Sequence, residues 1–498
     1  MSEVATPAGV EAADRSLLVV SNRQPYRHGH GDDDLDVDRP AGGLTAGLDP
    51  VMQELGGTWI AWGDGDADAD VVDEDGRIEV PPEDPSYTLK RVWLSEDQVD
   101  GYYYGFSNQV LWPVCHSALT EVRCEPAYWT SYQEANQQFA AAVLDQAAEG
   151  DTIWVQDYHL ALVPALIADR LSPTTELFHF WHIPWPSWDT FRACPYGPAL
   201  LRGLLGNDVI GFHTQRYCRN FLECVETALS DASVDRRSDQ IRYRGRLTRV
   251  KAMPMGAPVD RVVEQANSQT GRTFGRSFRE THGIDADTQL VLGVDRLDYM
   301  KGIPQRIRAL ERVWETRPER RGEVTYVQKG SESRSRIPAY RRLQAEVERR
   351  VEAVNERFGT DDWTPIEYTT RMLSQEELYG LYREADVGLV TSLRDGMNLT
   401  AQEFAAAQTD ADGVLVLSDQ AGVHAILGDQ ALTINPNEIE DVAATIVQAL
   451  DMGPEERHER MQRIRERLAS RDLTSWMERC LQADRPRPAQ RREIRDDA

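Results

Sequence analysis

Two loops in the second half of the chain hold the densest charged chemistry. Asp295-Arg296-Leu-Asp298-Tyr-Met-Lys301-Gly302-Ile-Pro304 follows an apolar run and puts a guanidinium and an ammonium into one strand-to-helix connection. Such a pair suits a phosphate or diphosphate, with a surface ion pair as the plain structural alternative. Only four of the 55 basic residues are lysines (Lys90, Lys251, Lys301, Lys329), so a lysine kept in that loop argues for a compact cation with a task. The companion segment is Thr391-Ser-Leu-Arg394-Asp395-Gly396-Met397-Asn398-Leu399, with Glu403 one turn into the next helix. Backbone N–H groups at Asn398 and Leu399 would face an anion, Asp395 can accept from sugar hydroxyls, and Glu403 can grip a ribose. The simpler role for a carboxylate at a helix start is to complement the helix dipole.

The first half offers a different set. Ser21-Asn-Arg23 ends the first apolar run, and Ala41-Gly42-Gly43-Leu opens a helix whose glycines let backbone amides approach an anion, or merely make a tight turn. Tyr102-Tyr103-Tyr104-Gly-Phe-Ser-Asn108 leads into Leu111-Trp112-Pro-Val-Cys-His116, a run that serves either as core or as a wall for carbohydrate. Two β-rich runs end in Gln156-Asp157-Tyr-His159 and in His179-Phe-Trp-His182-Ile-Pro184. His179 and His182 fall on opposite faces of an extended strand and cannot share a metal. His182, stiffened by the prolines after it, is the site candidate, whereas His159 and His179 read as buried histidines. Asp64 to Asp75 alternates acids as a calcium loop does, but Ala69 and Asp75 occupy the positions that need glycine and glutamate, so a solvated acidic loop is expected.

Parallel α/β architecture is what would place such loops together. Short β-rich runs (Leu17 to Ser21, Thr152 to Gln156, Glu176 to His182, Val209 to His213, Leu290 to Val294, Val324 to Gln328, Val387 to Thr391, Val414 to Leu417) alternate with amphipathic stretches, the pattern of βαβ units. Ser374 and Glu377 form a capping box, and Pro304 suits a first helical turn. The Pro- and Gly-bearing segment Lys251 to Asp260 marks a boundary near residue 256. The expected units are 16–255, 256–470, a C-terminal helix at 471–484 packing back on the first unit, and a disordered tail at 485–498.

Composition narrows the partners. At 498 residues and 41% hydrophobic content the chain supports two to three domain cores. Its 82 acidic residues against 55 basic ones give −27, a field that repels nucleic acid, and a lysine-poor acidic surface fits a high-salt cytoplasm. Six irregularly spaced cysteines fit reduced thiols, and no apolar run or leader calls for a membrane. A homo-oligomer is compatible with all of this.

Taken in order, Val-Val-Ser-Asn-Arg, Ala-Gly-Gly-Leu, Phe-Ser-Asn-x-x-Leu-Trp-Pro, Asp-Tyr-His-Leu, His-Ile-Pro-x-Pro, Gly-Phe-His-Thr, Asp-Arg-Leu-Asp-Tyr-x-Lys-Gly and Leu-Arg-Asp-Gly-Met-Asn-Leu resemble the trehalose-6-phosphate synthase family from about Leu17 to residue 480. The resemblance implies a GT-B fold, two Rossmann-like domains facing across a cleft, and retaining transfer of glucose from a nucleotide diphosphate glucose, UDP-glucose first among them, to glucose 6-phosphate. It implies Arg23, Trp62, Tyr104, Trp112, Asp157 and Arg334 at the acceptor. At the donor it implies Gly42, Gly43, His182, Arg296, Lys301, Asp395, Gly396, Met397, Asn398, Leu399 and Glu403, with Asp157, His182, Arg296 and Lys301 at the reaction centre and neither metal nor cofactor. Arg336 competes with Arg334 for the phosphate, and His424 stands where a small residue is more usual. The rivals are a synthase using glycerol 3-phosphate and a noncatalytic sugar-phosphate sensor.

Overall fold

The computed structural model describes residues 16–31, 35–39 and 43–482. Gly42 and the 485–498 tail lie outside them. In chain order the first strands are β1 (Leu17–Ser21), β2 (Arg27–His30), β3 (Leu35–Asp38), β4 (Thr58–Trp62), β5 (Arg77–Val80), β6 (Tyr87–Val92), β7 (Thr152–Gln156), β8 (Glu176–Trp181) and β9 (Val209–Phe212). Then come β10 (Ala232–Asp235), β11 (Gln240–Tyr243), β12 (Arg246–Ala252), β13 (Gln289–Arg296), β14 (Val324–Ser331), β15 (Ile366–Thr369), β16 (Val387–Val390), β17 (Val414–Ser418) and β18 (Leu432–Ile434).

Ten of these form one sheet in the order β10-β11-β12-β9-β8-β7-β1-β4-β6-β5, parallel from β12 to β6, and β13 to β18 form a second, wholly parallel sheet in the order β15-β14-β13-β16-β17-β18. The central strands are continuous apolar runs, as strands covered on both faces must be. In each sheet the strand order reverses once, between β1 and β7 in the first and between β13 and β16 in the second. At such a reversal two neighbouring loops diverge to opposite faces and leave a crevice beyond the strand ends. Arg23 and Asp157 follow one reversal; Lys301 and Asp395 follow the other.

The halves are tied behind the cleft. Gln402 accepts from Ala257 N at 3.0 Å and donates to Met255 O at 3.1 Å, which pins the segment after β12. Helix Leu473–Leu481 returns to the first sheet, where Trp476 packs 5.5 Å from Trp154 and 5.0 Å from Phe180 and donates to Met253 O. Gly256 is obligatory here, since a Cβ would lie 2.0 Å from Arg471 O.

Two local features depart from the sequence expectations. The acidic loop is only partly solvated: Asp68 is fully buried, paired with the buried Arg91 at 2.9 Å, and accepts from Gln24, His28 N and Gly65 N. Desolvation of a carboxylate requires such a complete set of donors, so this aspartate is a brace for the β1 loop. The aromatic run 100–111 is a π-helix of twelve residues, continued by the short helix Trp112–Cys115. Its wider turn carries the three tyrosines to different surroundings. No helix among the described residues is long and apolar enough to cross a membrane.

Candidate active site

The β13 loop and the β16 loop interlock. Asp298 caps the turn Tyr299–Lys301 by accepting from Met300 N at 3.0 Å, and Gly302 follows with φ +66°. Only glycine fits, because a Cβ at Gly302 would also lie 2.2 Å from Thr391 O. The turn delivers Lys301 Nζ to Asp395 Oδ2 at 2.7 Å. Asn398 donates to the same oxygen at 3.0 Å and accepts from Ala401 N at 2.8 Å, capping helix Leu399–Ala407. Burial would raise the Asp395 carboxyl, but Lys301 and Asn398 overrule it and hold it at about 2. Lys301 is in turn kept above the ordinary lysine value despite its burial, by Asp395 and Asp295.

Behind this pair Arg306, fully buried, donates to Thr391 Oγ1 (3.0 Å), Gln328 Oε1 (3.0 Å), Tyr326 OH (3.2 Å) and Asp295 Oδ2 (2.8 Å), so one guanidinium clamps both loops. Glu403, one turn into the helix and half-buried, is pushed up to about 7 by desolvation. Met397 is buried, and Gly43 opens helix Gly43–Leu55.

Across the cleft Asp157 leaves β7 with φ +67°, a backbone conformation that an aspartate adopts only under constraint. Its carboxylate accepts from His182 N at 3.1 Å. Burial pushes it up to about 7 against the pull of the Tyr158 and His182 amides and of Arg334 and Arg296. His182 is held neutral by burial and makes a 2.9 Å hydrogen bond through Nε2 with Gln156 Oε1. The other half comes within backbone contact here, for a Cβ on Gly396 would lie 2.2 Å from His182 O, and Tyr217 OH donates to Asp395 O at 3.0 Å.

Arg334 bridges the halves. It sits after β14 with φ +48°, yet its side chain, 5% exposed, enters an aromatic box to which the first half contributes Trp112 and Tyr158 and the second Tyr340. Its guanidinium lies 4.1 Å from the centre of the Trp112 ring and donates to Tyr158 OH at 3.1 Å and to Tyr340 OH at 2.5 Å, with the buried Asp298 at 3.5 Å. Arg296 lies over the same indole at 5.6 Å and 3.8 Å from the same carboxylate. Tyr103, against the Trp62 ring at 6.0 Å, lies in the field of both Arg23 and Arg334. Burial would raise its phenol, but the two guanidiniums pull it below the ordinary tyrosine value.

Most residues singled out from the sequence therefore converge: Arg23, Trp62, Trp112, Asp157, His182, Arg296, Lys301, Arg334, Asp395 and the turn 396–399. One residue of the expected set stands apart. Tyr103, not Tyr104, stands between the arginines, while Tyr104 lies under Arg336 at 5.0 Å. Arg336 is exposed and pairs with Asp100 at 3.0 Å on the cleft rim, which leaves the pocket to Arg334. His424 turns its ring to Thr433 Oγ1 at 2.9 Å. Asp298, Gln156, Tyr158, Arg306 and Tyr340 were not singled out. The first three lay inside motifs already noticed, whereas nothing local distinguishes Arg306 or Tyr340 in their helices.

Comparison with known proteins identifies the family. The model of Glycosyltransferase family 20 matches residues 15–484. A trehalose-6-phosphate synthase from Mycobacterium sp. (strain KMS) is 35% identical, over 98% of this chain and 99% of its own. The solved trehalose-6-phosphate protein from E. coli bound with UDP-2-fluoro glucose superposes with a TM-score of 0.83 at 32% identity, covering 94% of this chain and 98% of its own. An alpha,alpha-trehalose-phosphate synthase (UDP-forming) from Burkholderia xenovorans in complex with glucose-6-phosphate gives 0.82 at 31%, covering 94% and 99%.

Proposed function

The chain belongs to glycosyltransferase family 20, and on that premise we propose how its cleft works: it transfers glucose from UDP-glucose to glucose 6-phosphate with retention, forming α,α-trehalose 6-phosphate. One observation carries the assignment of roles. Arg334 and Arg296 lie over the same Trp112 ring at 4.1 and 5.6 Å, one facing Tyr103 and Arg23, the other beside the Lys301 loop. Two anion sites a single indole apart suit a phosphorylated acceptor and a diphosphate donor whose sugars meet between them.

In the donor half, Arg296 and Lys301 take the diphosphate, the amides of the 396–399 turn and of Gly43 approach it, and Glu403 accepts from the ribose hydroxyls. Asp395 and the neutral His182 bind hydroxyls of the transferred glucose. In the acceptor half, Arg23, Arg334 and Tyr103 take the phosphate, and Trp62, Trp112 and Asp157 hold the hexose. The bond from the glucosyl anomeric carbon to the diphosphate oxygen breaks as the acceptor O1 attacks the same face. The acceptor proton passes to the departing phosphate oxygen, so the α configuration is kept. Negative charge grows on that oxygen as the glucosyl carbon becomes oxocarbenium-like. Arg296 and Lys301 are already in place to stabilise it, which is where preorganised charge contributes most to rate.

The glycerol 3-phosphate alternative lacks a need for the Trp62, Trp112 and Asp157 wall. The site of action is read as the cytoplasm, in keeping with six free cysteines, five of them buried. Incubating the purified protein with UDP-glucose and either glucose 6-phosphate or glycerol 3-phosphate, and identifying the product by mass and NMR, tests the whole reading. A phosphorylated α,α-1,1-linked disaccharide supports it; a glucosylglycerol phosphate, or no product, contradicts it.

A further inference from the structure

One buried cation belongs to neither set of contacts. Lys329, in β14, is 5% exposed, and its ammonium donates to Ser331 Oγ at 2.5 Å. Desolvation holds it below the ordinary lysine value. Keeping an ammonium in such a place is costly unless a further acceptor meets it.

The sheet register shows where it points. Val294 pairs with Lys329 and Arg296 with Ser331 across β13 and β14. Residues two apart share a face, so Lys329, Ser331 and Arg296 leave the sheet on one side, while Asp295, Tyr326 and Gln328 leave on the other, toward Arg306. The Lys329 face is the one covered by helix Leu399–Ala407, whose Ala401, Phe404 and Ala405 pack with Leu292 and Val327. Glu403 rides on that helix and acts electrostatically on Tyr379 and Tyr382 of helix Gln375–Glu384, the helix that follows β15.

A nucleotide held by its diphosphate at Arg296 and Lys301 and by its ribose at Glu403 has two ways to send its base. The way toward β17 is filled: a Cβ on Gly422 would lie 2.0 Å from Gly396 O, and one on Gly396 2.2 Å from His182 O. The other way crosses the ends of β14 and β15, where Lys329 pairs with Thr369 and the chain continues through Met372, an apolar side chain 71% exposed.

We propose that Lys329 reads the donor's base, its ammonium donating to an exocyclic carbonyl oxygen of a pyrimidine such as uracil, with the exposed Met372 beside the ring. Adenine carries an amino group where uracil carries a carbonyl, so an ammonium meets donor with donor and the adenine nucleotide is rejected. Lys329 is thereby a specificity-determining residue of the donor site, a role that rests on the donor reading above.

The test is titration calorimetry of UDP and ADP on the full chain and on two variants. Lys329→Met keeps the length of the stem and removes the charge; UDP should bind roughly 10- to 100-fold more weakly and ADP more tightly than in the parent. Lys329→Gln offers both a donor and an acceptor, so it should retain UDP better than the methionine variant and bind ADP more tightly than the parent. Equal losses for both nucleotides, or none in either variant, overturn the role of Lys329 while leaving the donor site intact. A parent protein that binds neither nucleotide contradicts the donor reading itself.

Discussion

Arg334, Arg296 and Tyr103 show how little separates a structural cation from a working one. The two arginines lie over Trp112 and one of them, Arg334, acts on Tyr103, at distances that would be unremarkable in a core; what distinguishes the arginines is that they share one buried carboxylate, Asp298, at 3.5 and 3.8 Å. Such arginines retain capacity for incoming anions. Tyr103→Phe should therefore raise the glucose 6-phosphate KM by about tenfold, the scale of one charge-assisted hydrogen bond, while Tyr104→Phe leaves it near the parent value in the same assay. Alanine at Arg296 or Lys301 should lower kcat by ~10²-fold or more, as loss of a single preorganised donor to a developing oxyanion does; a variant with full turnover contradicts the assigned role. Glu403 yields a pH signature. Its carboxyl stands at about 7 in the folded protein because of desolvation, above its unfolded value, so between the two values the folded state binds more protons and stability falls as pH rises. Glu403→Gln removes that penalty. The variant should be more stable than the parent at pH 8, by on the order of 1–3 kcal/mol, with the gap closing toward pH 5 in denaturant titrations. Its donor KM should rise, since ribose hydroxyls need the ionised carboxylate.

At the scale of elements, the fold was legible where hydrophobic periodicity and turn chemistry coincide. The eight apolar runs became β1, β7, β8, β9, β13, β14, β16 and β17, and the Ser374–Glu377 capping box and the Pro304 first turn both form. What escaped has a common cause. Three successive tyrosines carry no periodic cue, and whether Tyr103 or Tyr104 faces the cleft depends on the phase of a π-helix whose pitch no propensity encodes. Likewise Asp68 read as solvated because its partner, Arg91, is 23 residues away on β6. Arg306 is invisible for the same reason, although it ties three segments to its own helix. The interlock of the β13 and β16 loops nevertheless hangs on a residue that was visible, Gly302. Alanine there meets both φ +66° and a carbonyl at 2.2 Å, so Gly302→Ala should cost about 1–3 kcal/mol of stability. It should also lower kcat/KM for UDP-glucose more than it raises the acceptor KM, because Lys301 moves and Arg23 does not.

For the molecule as a whole, neither half owns the proposed acceptor site. Arg334 is carried by the second half against Trp112 and Tyr158 of the first, and the same approach presses Gly396 against the His182 carbonyl and bridges Arg394 to Ser117 at 2.6 Å and Arg342 to Glu121 at 2.9 Å. On the proposed reading catalysis depends on how closely the two sheets approach, and at Gly396 that approach leaves no room for a methyl group. Gly396→Ala is thus a spacer. The residue has no positive φ, so alanine should not strain its own loop, and the added Cβ meets only the other half, 2.2 Å from His182 O. The halves must part by about 1 Å to relieve the clash, and displacements of that size can cost ~10²-fold in rate. The expected result is a kcat lowered by about that factor and a raised KM for glucose 6-phosphate, with UDP affinity falling less than glucose 6-phosphate affinity because the donor cations all lie in one half. Equal weakening of UDP and glucose 6-phosphate would place the damage in the donor loop instead and remove closure as the explanation.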